Sequence, residues 1–410
     1  MKHQLPPKLQ NANISHNEFV IVIAMLMGIN SLGIDIILPC LSQISSFLKL
    51  SNENYRQHLI SFYLIGYGIA QIFYGPLSDR FGRKVVMMIG LIIYIISTLV
   101  IVVIDSFSGM LFMRFIQGIG GAAPRIITIS IIRDVYDGSE MAKVLSIAIM
   151  IFMIMPILAP GIGQATIFLS GHWMGVFICM GVVTAFITLW YYIRFPETLT
   201  PHDVRPLNLS LIFHSFSLIL KNRVSTLYNI ANSLIMGAIL GFVNSSQQIY
   251  GEIYNLGNLF PIAFAIGGIA ISFASFANSH LIEKFSVRIV SHYSLLVLLI
   301  ITGLWLLIQI NTSNHINLLA FIILFFLTYF QFGLINCNFS SISMEPFSHL
   351  AGTASSVFGF TNTIICTIIG IIIGQSFNGT TYPITIGFFI ITILCFICVF
   401  SVEGKRMFRK

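Results

Sequence analysis

The sequence predicts an all-α membrane protein of twelve transmembrane helices in two six-helix bundles, and three observations predict it. Of the 410 residues, 56% are hydrophobic and only 9% are charged. A soluble domain carries roughly 25% charged residues, so this chain cannot clothe itself in a water-facing surface. Apolar runs of about 18–25 residues, the length that crosses a bilayer core, recur along the chain. The basic residues between them fall almost wholly on alternate loops.

Twelve segments can be drawn, at 18–40, 56–75, 85–104, 109–132, 143–167, 173–193, 224–250, 258–280, 290–310, 317–340, 352–376 and 384–402. Each must be helical, because lipid offers no partner to an open backbone. Segment 1 follows a polar stretch at 1–17. It is too long for the apolar region of a leader and lacks a clear cleavage site, so retention of the N-terminus is expected.

Twelve crossings place both termini on one side. Of the 21 lysines and arginines, Lys49 and Arg56 fall in loops on the far side, and Arg114 and Arg125 fall inside segment 4. All the others lie on the side of the termini, which makes that side cytoplasmic. The net charge of +7 therefore reports topology. Basic residues standing singly or in small groups between apolar segments give no nucleic-acid surface.

The longest polar connection, 194–223, contains Pro196, Pro201 and Pro206 and divides six segments from six. It reads as a cytoplasmic linker between an N-terminal bundle (1–193) and a C-terminal bundle (224–410), with a short amphipathic helix expected around Leu209–Leu220. Asp79-Arg80-Phe81 after segment 2 recurs as Glu283-Lys284-Phe285 after segment 8, half a chain later. With the six-plus-six division, this suggests two related bundles with a cavity between them.

Nothing points to catalysis, and no enzyme activity is expected. Gly118-Ile119-Gly120-Gly121 lies within an apolar segment, where a nucleotide loop is implausible. Cys395 and Cys398 form a CxxC on an aliphatic helix with no second pair, which suits packing better than a metal or redox site.

Three motifs carry more information. Between segments 2 and 3 runs Gly75-Pro76-Leu77-Ser78-Asp79-Arg80-Phe81-Gly82-Arg83-Lys84. Glycines suit a tight cytoplasmic turn, and an acid beside helix ends can cap an N-terminus or bridge to arginine. Such contacts can latch one state and release in another. The run resembles the helix 2–3 signature of the major facilitator superfamily. Arg114-Phe115-Ile116-Gln117-Gly118-Ile119-Gly120-Gly121 resembles that superfamily's buried-arginine motif. Pro156-Ile157-Leu158-Ala159-Pro160-Gly161-Ile162-Gly163 resembles the motif that marks its drug/proton antiporters. Prolines interrupt the helical ladder and glycines permit close helix approach. Gly33-Ile34-Asp35 through Pro39, with Arg133-Asp134 after segment 4, further resemble the Bcr/CflA-type efflux branch and its MdfA-like multidrug antiporters.

The resemblance spans nearly the whole chain. It implies the major facilitator fold, alternating access, proton-driven export of small organic molecules across a bacterial inner membrane, and a monomer. It implies no cofactor, since the proton gradient drives transport. Gating roles would fall to Gly75, Asp79, Arg80, Gly82, Arg83, Lys84, Asp134, Pro156, Pro160, Gly161 and Gly163.

Asp35 lies about 25 Å into segment 1 at 1.5 Å per residue, in the outer half of the membrane. A carboxylate there costs about 3 kcal/mol on insertion scales and usually serves a function. Proton carriage or substrate binding is one reading, and an acid permanently neutralised by an arginine is the other. Arg114, a few residues into segment 4, falls in the same half, so the two can lie at similar depth. Desolvation favours a neutral acid and a nearby arginine a charged one. Asp35 can therefore alternate between protonation and a charged state stabilised by Arg114 or substrate.

Arg125 lies on nearly the same helix face as Arg114, about 16 Å further in. It can attract an anionic group or pair with an acid near the inner mouth. MdfA-like relatives carry a second acid eight residues before the aspartate, where this chain has Met27. Substrate-lining positions are expected at Asp35, Tyr63, Tyr67, Gln71, Arg114, Gln117 and Arg125 in the first half. In the second half they are expected at Asn244, Gln247, Gln331, Asn336 and Asn338, with interhelical hydrogen bonding the alternative for each. Segments 9, 11 and 12 hold no deep acid or base, and Ile239 stands at the repeat position of Asp35, so proton chemistry is expected in the first half. A dedicated transporter of one metabolite or siderophore is the second functional reading, with Arg114 and Arg125 suited to an anionic one. A receptor without transport is the third.

Overall fold

The computed structural model describes residues 14–200, 204, 216–217, 219–312, 316–404 and 407–408, without the side chains of 139, 142 and 348–353. The predicted helix around Leu209–Leu220 falls largely outside these residues. So do Pro201, Pro206 and the basic residues Lys2, Lys8, Arg205, Lys405, Arg406, Arg409 and Lys410. The chain divides into two compact units, Met1–Leu209 and Ser210–Lys410.

Unit 1 holds α1 (His16–Asp35), α2 (His58–Phe81), α3 (Arg83–Val103), α4 (Phe107–Val135), α5 (Gly138–Ser170) and α6 (Met174–Arg194). Unit 2 holds α7 (Arg223–Gln247), α8 (Phe260–Lys284), α9 (Val287–Asn311), α10 (Leu318–Met344), α11 (Ala351–Gln375) and α12 (Tyr382–Glu403). Together with their short flanking turns, these form 12 helices long and apolar enough to cross a membrane among the described residues. The protein is a multi-pass membrane protein.

Helix faces confirm the solvent. On α3, Val85, Ile89, Ile92, Ile96, Leu99 and Val103 recur at helical spacing and are each about half exposed or more. On α6, Ile178, Val182, Phe186 and Leu189 do the same. Such continuous apolar stripes are tenable only against lipid.

In unit 1 the packed pairs are α2 with α4, α3 with α4, α1 with α5, α3 with α6, and α1 with both α4 and α6. Unit 2 repeats every pairing six helices later: α8 with α10, α9 with α10, α7 with α11, α9 with α12, and α7 with both α10 and α12. The internal repeat that the sequence hinted at is thus a repeat of packing.

Small residues let these helices approach closely, since lipid supplies no hydrophobic drive for association. A Cβ on Gly118 would lie 1.9 Å from the Tyr63 carbonyl oxygen of α2, and one on Gly120 would lie 2.6 Å from the Gly90 carbonyl oxygen of α3. In unit 2, Gly237 and Gly241 of α7 receive Ile369 and Ile373 of α11, and Gly370 receives Leu240.

Two predicted shapes are corrected. Segment 1 is not one helix to residue 40. The α-helix ends at Asp35, a 3-10 turn covers Leu38–Cys40, and a short helix follows at Leu41–Phe47. Pro39 explains the break, because it has no N–H to offer the Asp35 carbonyl and its ring crowds that oxygen. The Gly75–Lys84 motif is not mainly a turn either. α2 continues through Pro76 to Phe81, and the reversal is confined to Gly82, whose φ of +99° favours glycine.

Candidate functional site

The membrane-buried site of unit 1 is built around Arg114, which is 0% exposed. Its Nε donates to the Leu59 carbonyl at the start of α2 (2.9 Å) and its Nη2 to the Gly33 carbonyl at the end of α1 (2.7 Å). Nη1 donates to the Gln117 side-chain oxygen, and the guanidinium lies over the Tyr63 ring, 4.7 Å from its centroid. The last carbonyls of a helix lack intrahelical partners and favour a cation. α1 has no basic residue in its last turn, so Arg114 provides that charge from α4.

A second layer fixes the first. Gln117 donates to Thr98 Oγ1 and reaches Met180 Sδ at 3.9 Å. Thr98 in turn donates to the Tyr94 carbonyl (2.6 Å). Tyr63 donates to Asn30 Oδ1 (3.1 Å) and stacks with Tyr67, ring centroids 6.3 Å apart.

Asp35 occupies the last turn of α1, two residues beyond the Gly33 carbonyl that Arg114 holds, and is 6% exposed. The two predicted partners therefore meet at one level of the bundle. They are not joined: Arg114 bonds backbone and amide oxygens, and among the described residues nothing hydrogen-bonds or ion-pairs with the Asp35 carboxyl. Gly163 of α5 presses on this break, where a Cβ would lie 2.1 Å from the Ile36 carbonyl oxygen. Pro156 and Pro160 lie within α5, and Gly161 is half-buried.

At the predicted cytoplasmic end, Arg83 opens α3 and is 3% exposed. It pairs with Asp79 of α2 and with Asp134 of α4 (2.9 Å), and donates to Ser78 Oγ (2.7 Å). Gly82 has no side chain to cap α3. Glu197, just past α6, does so instead, accepting the backbone N–H of Arg83 (2.9 Å) and of Lys84 (3.0 Å). The same carboxylate also accepts from Thr198 and Leu199. Sequence reasoning passed over Glu197 as a linker residue; the signal was a helix start with no capping side chain of its own. Arg80 is exposed, and Lys84 lies 5.0 Å from the Tyr192 ring centroid. Gly75 meets nothing within 4 Å of a built Cβ. Glu197→Ala is expected to destabilise the protein by about 1 kcal/mol, read as a lower thermal midpoint of the purified chain.

A related cage closes unit 2. Arg288 at the start of α9 pairs with Glu345 past α10 (2.8 Å) and with Glu403 at the end of α12 (3.3 Å). Tyr228 donates to Glu403 (3.0 Å) and meets His292 Nε2 (2.8 Å), whose other ring nitrogen faces the Met407 carbonyl. These residues were not anticipated. The sequence match lay at Glu283-Lys284, but Arg288 plays the part that Arg83 plays in unit 1.

The remaining predicted positions scatter. Gln71 is buried in α2. Arg125 lies 4.4 Å above the Phe152 ring. In unit 2, Asn244 donates to the Gly370 carbonyl (3.0 Å) and Asn338 to Asn278 (2.8 Å), both helix-joining bonds. Asn336 donates to Met236 Sδ (2.6 Å). Gln331 is buried, and the Gln247 amide oxygen has no partner.

Comparison with known proteins follows the same lines. The sequence profile described as Major Facilitator Superfamily matches residues 21–371. A Haemophilus influenzae protein named bicyclomycin resistance protein homolog is 28% identical over 89% of this chain and 91% of its own length. The multidrug resistance protein MdtL of Salmonella typhi is 30% identical over 91% of this chain and 92% of its own. Among solved structures, the nucleoside transporter NupG superposes with a TM-score of 0.68 at 16% identity, covering 96% of this chain and 99% of that one.

Proposed function

Because the chain belongs to the Major Facilitator Superfamily, and is a transporter and not an enzyme, we propose that it exports small amphipathic organic compounds across a bacterial inner membrane in exchange for protons. Its relatives' names, bicyclomycin resistance and multidrug resistance, support a drug efflux role. The observation that carries proton coupling is Asp35: a carboxyl buried in a membrane span, at the break of α1, with no cation among the described residues bonded to it.

In this reading Asp35 takes and releases the proton. Arg114 positions the end of α1 and is not itself the counter-charge. The Arg83 and Arg288 cages tie helix ends on the cytoplasmic side, and opening them accompanies alternating access. Both termini face the cytoplasm, as the basic loops indicate.

Proteoliposome flux under an imposed pH gradient, with a panel of amphipathic compounds, tests this. Movement of several compounds that stops when the gradient is collapsed is expected. Flux indifferent to that collapse refutes proton exchange.

A further inference from the structure

Of the three arginines of α4, Arg133 lies in its last turn; the other two, Arg114 and Arg125, lie deeper, and their surroundings differ. Arg114 has its donors engaged by Leu59, Gly33 and Gln117, so it has little left for a ligand. Arg125 is half-buried and lies over the Phe152 ring of α5. Its Nη1 is shielded from solvent and has no hydrogen-bond partner. Among the described residues no carboxylate pairs with it.

A guanidinium stays charged, and a cation inside a membrane span normally faces a partner or a pathway. Among the described residues the protein provides an aromatic face against Arg125 but no anion. Between Glu18 and Asp35, α1 offers no acid to attract a cation.

We infer that Arg125 is the recognition point for an anionic group, a carboxylate or sulfonate, carried by an amphipathic aromatic substrate. The planar fork of Arg125 receives the two oxygens, while the apolar body of the substrate packs against Phe152. This rests on the exporter reading above and gives that exporter a preferred substrate charge.

The test is equilibrium binding of three probes sharing one fluorophore to the purified full-length protein. The probes are dansyl-glycine (anionic), dansyl-glycinamide (neutral) and dansyl-cadaverine (cationic). Wild type is expected to bind the anion at least ~10-fold more tightly than the neutral probe, the scale of one charge-assisted hydrogen-bonded pair. R125Q should bring those two affinities within ~2-fold by weakening only the anion. R125K should lose several-fold, since an ammonium cannot present the fork. Equal binding of the three probes, no binding of the anion, preference for the cation, or an undiminished anion preference in R125Q overturns the inference. Should R125Q not give a monodisperse protein, R125K decides: a reduced preference supports the inference and an unchanged one refutes it. Binding needs no gradient, so a failure of proton-coupled flux leaves this result standing, and the reverse also holds.

Discussion

Asp35→Asn is expected to abolish proton-coupled transport while leaving the protein inserted, folded and close to wild-type stability. The substitution keeps the shape of the side chain and removes the titratable proton. No described residue bonds to the Asp35 carboxyl, so no ion pair is broken by the change. The break of α1 is set by Pro39 and the close approach of α5 by Gly163, and neither depends on a carboxylate. Flux in proteoliposomes under an imposed pH gradient should fall by about 100-fold or more, of the order lost when an essential proton-transfer group is removed. The thermal midpoint should move little. Full gradient-driven flux in this variant would take Asp35 out of the mechanism.

Arg114→Ala is expected to do the opposite, damaging the fold before the chemistry. Removing a buried charge that bonds three oxygens leaves those acceptors without their donor and empties the space beneath the Tyr63 ring. Leaving a buried acceptor unsatisfied costs about 1–3 kcal/mol, a large share of the stability of a typical domain. Arg114→Lys should recover only part, because one ammonium cannot span α1, α2 and Gln117 together. Yield and thermal midpoint of the purified variants measure this. An Arg114→Ala protein as stable as wild type would show that the guanidinium does not hold the end of α1.

Much of this was legible in the sequence, for stated physical reasons. Hydropathy fixes helix number because lipid tolerates little else, and Gly118 and Gly120 announced close packing because few other residues permit it. The break after Asp35 was less legible, since Pro39 sits in an unbroken apolar run and only the backbone reveals what that proline does. Pro76 misled in the other direction: a loop residue in water, it is accommodated here within α2. Glu197 and the Arg288 cage escaped notice because each joins residues distant in the chain, and local pattern does not register such pairs. The engagement of Arg114 was invisible for a similar reason. Backbone carbonyls leave no signature in sequence, so an acid nearby looked like the natural partner.

The guanidinium of Arg114 fastens α1 and α2 to α4 at a single level, near Asp35. Three helices riveted at one height cannot slide past one another there. In the proposed exporter, the effect of a proton at Asp35 is therefore expected to pass on as tilting or flexing further along these helices. Pro76 and Pro124 lie within α2 and α4 beyond that level and each removes a ladder bond, so in the proposed exporter bending is expected in those arms, with the Asp35 level as its fulcrum.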